Sequence, residues 1–377
     1  MIDYEILRFI WWILIAVLLI GFAITDGFDM GVLNLLPIIG KSNVERRIMI
    51  NTIAPHWDGN QVWLLTAGGA IFAAWPTVYA TSFSGFYIAM VLVLAALFFR
   101  PVGFEYRAKI DNPKWRSAWD WGLFIGGFVP SLVFGVAFGN LLQGVPFEFN
   151  NINQSQYTGS FFGLLNPFAL VCGIISLMML TTQGATWLQM KTTGELHNNS
   201  RKVAQVTASI VLVAFILAGV WLYFKDGFVI TSELDHNAQS LLTNKTVAVQ
   251  AGAWFRNYAE MPVLWVVPAL VVVGALLTII ASKANRSGLA FFASSLMIIG
   301  VILTAAVSMF PFIMPSITHP EMSLTVWDAT ASHTTLTVML FVAGIFVPLV
   351  LAYTIWSYIK MYGRLDASYL EENKAAY

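Results

Sequence analysis

Five carboxylates and one imidazole stand inside or beside long apolar runs of this chain. Asp26 and Asp29 lie in Thr25-Asp26-Gly27-Phe28-Asp29-Met30-Gly31, and His56 and Asp58 in Pro55-His56-Trp57-Asp58-Gly59-Asn60-Gln61; Glu105 and Asp120 flank a short basic segment. An ionisable group at bilayer depth is costly unless it is paired or wetted, so each is a functional candidate. The chemistry available to such a set is proton exchange, because carboxylates beside an imidazole titrate near neutral pH when burial and mutual repulsion raise their pKa values. Asp26 and Asp29, three residues apart, share one face of a helix. A structural reading competes: Asp58 caps a helix N-terminus, and Asp26, Asp29, Glu105 and Asp120 pair with Arg46, Arg47, Arg100 or Arg107. Spacing alone leaves both readings open.

The elements that must position these groups are membrane helices. A spanning helix needs about 20 mostly apolar residues. Such runs lie near 7 to 28, 58 to 80, 84 to 100, 119 to 142, 161 to 182, 204 to 224, 261 to 282, 288 to 314 and 334 to 358. The expected fold is therefore all-α and polytopic, one integral membrane domain over residues 1–377 with about nine transmembrane helices. Two four-helix bundles and one peripheral helix suit that number. Lys and Arg accumulate in cytoplasmic loops, and an outside N-terminus puts sixteen of the twenty basic residues on the inner side. The outer side keeps Arg8, Lys225, Lys245 and Arg256, and the C-terminus at Tyr377 falls inside. All five acids then converge on the cytoplasmic half, with Asp26 and Asp29 near the inner end of the first span. Trp11, Trp12, Trp57, Trp75, Trp119, Trp121, Trp221 and Trp265 fall near span ends, where amphipathic rings anchor in the headgroup zone.

With 58% hydrophobic and 11% charged residues, the chain exceeds what a soluble fold can bury. Twenty basic and twenty acidic residues cancel, which removes any global electrostatic case for nucleic acid. The single Cys172 rules out an internal disulfide and a cysteine-based metal site, and it reads as a small buried hydrophobe. None of the five histidines, His56, His197, His236, His319 and His333, falls at mid-span, where a haem within the membrane would need its ligand. His197, His236 and His319 read as solvated loop residues. Met178, Met179, Met190, Met297 and Met309 read as packing residues. Without a phosphate-binding loop, a nucleophile elbow or a zinc-ligand helix, no catalytic activity is expected of this chain alone.

A string of local motifs is similar to a known family over nearly the whole length. It comprises Gly27-Phe28-Asp29-Met30-Gly31, the block Ala54 to Trp63, Phe98-Phe99-Arg100-Pro101, Leu165-Asn166-Pro167-Phe168, Thr182-Gln183-Gly184-Ala185 and Met309 to Pro315. In this order they resemble subunit II of the cytochrome bd ubiquinol oxidases. The resemblance implies a bacterial inner-membrane terminal oxidase that oxidises quinol, reduces oxygen to water and contributes to the proton motive force. It implies a haem-bearing subunit I holding haem b558, haem b595 and haem d, with this chain as its haem-free partner, and small single-span accessory subunits. It also leaves room for a bound ubiquinone. A proton route is carried over onto Asp58 first, with Asp26, Asp29, Glu105 and His56 in support, and an oxygen route from the lipid onto Trp63.

The alternative from a different class is a proton-coupled secondary transporter. Transporters also collect buried acids, but near the midplane on helices broken by Gly or Pro. Here the acids gather toward one face, while Pro130, Pro167, Pro262, Pro268, Pro311, Pro315 and Pro348 supply candidate breaks.

Overall fold

The computed structural model describes residues 2–242 and 245–372, so Lys374 and Tyr377, both assigned to the inner side above, lie outside the described residues. Long helices dominate. In chain order they are α1 (Tyr4–Ile39), α2 (Asn43–Ile53), α3 (Trp57–Ala74), α4 (Pro76–Gly85), α5 (Tyr87–Leu97), α6 (Phe99–Tyr106) and α7 (Pro113–Gln143), then α8 (Pro167–Lys191), α9 (Gly194–Tyr223), α10 (Arg256–Glu260), α11 (Val266–Lys283), α12 (Ser287–Met309), α13 (His333–Lys360) and α14 (Ala367–Glu372). Among the described residues eight helical stretches are long and apolar enough to cross a membrane, α5 and α6 counting together as Tyr87–Tyr106. The run predicted near 58 to 80 falls on α3 and α4, which meet at Trp75. Pro76 opens α4 and cannot donate to the preceding turn, and Trp75 leaves the helical region at φ −130, ψ 65.

The helices group as four, four and one. α1 packs on α3 and α7, with α5 and α6 against α7; α8, α9, α11 and α12 form the second group, joined to the first where α8 packs against both α1 and α7. α13 leans on α1 and α3, and its most apolar stretch buries no residue within the chain. The α1–α8 crossing is a backbone contact. A Cβ at Gly31 would collide with the carbonyl oxygen of Leu180 and with Gly184, and one at Gly184 would collide with Gly31 and Val32. Glycines at a helix crossing let two backbones approach as no other residue does.

Three two-stranded hairpins cover one end of the bundle: β1 (Phe147–Phe149) with β2 (Ser155–Tyr157), β3 (Asp226–Ile230) with β4 (Val247–Ala251), and β5 (Phe312–Met314) with β6 (Leu324–Thr325). Arg8, fully buried in α1, ties the loop after β3 to this end. It donates to the His236 and Ala238 carbonyls at 2.5 and 3.0 Å, to Ser240 Oγ at 2.9 Å and to Thr330 Oγ1 at 2.9 Å. Lys245 is held by Asp328 at 2.5 Å.

Two of the expected tryptophan anchors are core residues instead. Trp11 is 4% exposed and donates to the Leu336 carbonyl, and Trp75 is 5% exposed. Trp121, Trp221 and Trp265 are exposed, as headgroup anchors are. His197 is not a solvated loop residue either. It sits in the first turns of α9, buried, with Nδ1 2.9 Å from the Gln189 carbonyl and Nε2 2.7 Å from Asn285 Oδ1.

Candidate functional site

The first span does not end at the acid motif. α1 continues to Ile39, so Asp29 lies ten residues, roughly 15 Å, inside its end. Gly27 and Gly31 are packing positions against α8. This puts Asp26 and Asp29 in the bundle interior, fully buried.

One guanidinium serves both carboxylates. Arg100, in α6 and also fully buried, grips Asp26 through a two-point contact, Nη1 to Oδ2 at 2.8 Å and Nη2 to Oδ1 at 2.5 Å. Its Nη2 reaches Asp29 Oδ2 only at 3.6 Å. That oxygen instead accepts from Asn60 Nδ2 at 2.9 Å, and Tyr358 of α13 donates to Asn60 Oδ1 at 2.5 Å. Asp29 Oδ1 and Arg100 Nε are buried with no hydrogen-bond partner among the described residues. The cluster is thus asymmetric: Asp26 is a saturated ion pair, whereas Asp29 has an open oxygen beside a tyrosine–asparagine chain. Two carboxylates against one cation leave one negative charge uncompensated in a low-dielectric interior. A single exchangeable proton removes that charge.

The other predicted residues divide sharply. Asp120 is a structural pair, holding Arg107 Nε at 2.5 Å and Arg46 Nη1 at 2.7 Å and so fastening α2 and α6 to α7. His56 occupies the N-cap position of α3, buried and stacked on the Tyr358 ring at 4.4 Å. Burial and then the nearby charge of Lys191 push its pKa down to about 4. Asp58 is in the first turn of α3 but is not the cap. It is exposed on the outward face of the helix and has no ion pair or hydrogen bond among the described residues. Glu105 is likewise exposed on α6 without an ion pair among them. Trp63 is half-buried, its ring lying where a Cβ on Gly21 of α1 would stand 2.5 Å away.

Sequence reasoning missed Asn60 and Tyr358, which complete the buried cluster. Asn60 lies inside the block around Asp58 without a charge to mark it; Tyr358 carries no local signal, because only the fold brings it across nearly three hundred residues. A second feature unseen in sequence is an apolar cavity of about 540 Å³ bounded by Phe22, Leu64, Phe134, Phe168, Met179 and Phe215. Leu64 puts it beside Trp63, and Cys172, half-buried, is part of its wall. Among the described residues no group of three or more His, Cys, Asp and Glu side chains could hold a metal ion.

The family described as cytochrome bd terminal oxidase subunit II matches residues 7–361. Over 99% of both chains, the sequence is 72% identical to the probable cytochrome oxidase subunit 2 of Haemophilus influenzae. Over the same share it is 60% identical to the cytochrome bd-I ubiquinol oxidase subunit 2 of Escherichia coli K12. The Bacillus subtilis cytochrome bd ubiquinol oxidase subunit 2 is 34% identical over 93% of this chain and 94% of its own. In fold, a chain of the bd oxidase from Geobacillus thermodenitrificans superposes with a TM-score of 0.62 at 12% identity, covering 95% of this chain and 99% of that one.

Proposed function

The chain belongs to the cytochrome bd terminal oxidase subunit II family, and from that premise we propose that it conducts protons toward a haem-bearing subunit I. It is a multi-pass membrane subunit of a quinol:oxygen oxidoreductase complex that contains haem. In our reading haem b558, haem b595 and haem d all belong to the partner, together with the quinol-oxidising chemistry. The described histidines support that division. His197 has both ring nitrogens engaged, His333 bonds the Ile2 carbonyl, and His236 and His319 sit with glutamates outside the spans. The transporter reading is left without support by the family match.

The observation that carries the proton proposal is the Asp26–Arg100–Asp29 cluster with its open Asp29 oxygen. Asp58 and Glu105, exposed near the same end of the bundle, collect protons; Asp29 holds one inside; Asn60 and Tyr358 orient its carboxyl. Asp26 stays ionised against Arg100 and fixes the cation. We assign an oxygen path from the lipid past Trp63, which packs against the apolar cluster that also walls the cavity, into that cavity, where a small apolar molecule partitions favourably. A bound ubiquinone would take the same cavity. Small single-span subunits complete the assembly in this proposal.

The test is quinol-dependent oxygen uptake per haem in three variants. Asp29→Asn keeps the hydrogen bond from Asn60 but cannot release a proton, and turnover is expected to fall at least about tenfold with haem content unchanged. Asp58→Asn is expected to slow turnover less, since Glu105 offers a second collector, and Asp58→Glu to retain most of the rate. Wild-type turnover in Asp29→Asn would end the proposal.

We further propose that the membrane is the bacterial inner membrane, with the N-terminus outside and the hairpin-covered end facing outward. The basis is the sixteen-to-four distribution of basic residues. On a background with Cys172 replaced, Gln239→Cys is expected to react with an impermeant thiol reagent in intact cells and Leu370→Cys to react only after lysis. The reverse pattern would invert the topology.

A further inference from the structure

Of the four basic residues on the hairpin-covered side, three are spoken for. Arg8 spends its donors on four neutral acceptors, Lys245 pairs with Asp328, and Arg256 pairs with Glu260. Lys225 is different. Just past the end of α9, it is half-buried and donates once, to Gln143 Oε1 at 2.8 Å. An ammonium has three N–H donors, so two remain without a partner among the described residues. They face a cavity of about 710 Å³ that Lys225 shares with Asp226, Gln143, Asn166, Tyr157 and Ser160. Asp226 is exposed and forms no ion pair among the described residues, with Lys225 or otherwise.

The position of the ammonium is set in advance. Gln143 Nε2 donates to Asn166 Oδ1 at 2.7 Å, and Asn166 Nδ2 donates to Asn140 Oδ1 at 3.0 Å, a chain that fixes the amide facing Lys225. The Phe168 and Trp221 rings lie 5.3 and 5.9 Å from Nζ, within reach of a cation–π attraction that helps to hold the ammonium. Phe224, on the cavity wall, is 75% exposed, and Trp221 and Tyr223 just before it in the chain are 42% and 57% exposed, aromatic residues of the kind enriched at headgroup depth.

A fixed cation with spare donors and a free carboxylate, side by side in one polar cavity at a membrane surface, match a phosphate joined to a primary ammonium. We propose that this cavity binds the headgroup of a phosphoethanolamine lipid. The phosphate accepts from Lys225, the lipid ammonium donates to Asp226, and the acyl chains pass over Phe224 into the bilayer. A phosphatidylglycerol headgroup would satisfy Lys225 but meet Asp226 with no cation. A phosphocholine headgroup has no N–H to donate.

The experiment is native mass spectrometry of the purified oxidase complex, delipidated and then titrated with phosphatidylethanolamine, phosphatidylglycerol or phosphatidylcholine micelles. The expected result is preferential retention of phosphatidylethanolamine that 20-fold excess inorganic phosphate does not displace. Lys225→Gln should lower that retention by at least about fivefold, the effect of removing one basic residue from a lipid-phosphate contact, and Lys225→Arg should restore it. Asp226→Asn should shift the preference toward phosphatidylglycerol. Equal retention of the three lipids, displacement by phosphate, a ubiquinone in place of a phospholipid, or retention unaffected by Lys225→Gln would each overturn the assignment. Because Lys225→Arg keeps the cation, a loss of assembly in Lys225→Gln alone leaves the lipid preference of Asp226→Asn to decide the matter.

Discussion

Replacing Arg100 with leucine is expected to abolish nearly all assembled oxidase. The substitution leaves Asp26 and Asp29 buried with no cation, and removing one partner of a buried ion pair costs about 3–5 kcal/mol. That is a large fraction of the stability of any domain. Co-purification of the two large subunits and haem per milligram of membrane protein both report it. The double variant Arg100→Leu with Asp26→Asn should recover part of the assembly, because one of the stranded charges is gone and the remaining Asp29 keeps Asn60. Recovery without activity would be the signature of a repaired fold and a broken proton store. Normal assembly of the single variant would mean that the carboxylates do not depend on Arg100.

The second large effect is expected at the α1–α8 crossing. Gly31→Ala and Gly184→Ala each place a methyl group into the opposing backbone, which cannot rotate aside as a side chain would. Overpacking usually costs 1–3 kcal/mol, and these sites should reach about 3. Gly219→Ala in α9, where an added Cβ meets nothing within 4 Å, is the matched control. Helix propensity alone should make it neutral or stabilising by about 0.5–1 kcal/mol. Thermal unfolding of the detergent-solubilised complex separates the three, and similar melting temperatures would remove the crossing as a determinant.

The helical character of the chain was legible because apolar length is a strong, local signal; among the described residues eight stretches are long and apolar enough to span, while the ninth expected run, near 58 to 80, is broken at Trp75 into α3 and α4. What failed were inferences about where a side chain points. Asp26 and Asp29 were expected near the inner end of the first span, yet α1 continues to Ile39, with Gly27 and Gly31 letting it pass close to α8. Asp58 has the residue type and position of an N-cap, yet His56 holds that place and Asp58 turns outward. Among the acids, residue type could not separate the clasped Asp120 and Asp26 from the half-served Asp29, since that difference rests on which arginine arrives and at what distance. Tyr358 was invisible for a deeper reason. Its role exists only through a contact 298 positions away in the chain.

That contact bears on the order in which the protein is made. A nascent chain is released N-terminus first, so α1 and α3 carry Asp29 and Asn60 long before α13 is translated. Until then the hydroxyl that closes the chain of hydrogen bonds is missing, and the aromatic face that covers His56 is missing with it. α13 buries almost nothing else of its own. It is thus the last element to reach the acid cluster, and a chain that stops short of Tyr358 lacks both the hydroxyl that bonds Asn60 and the ring that stacks on His56.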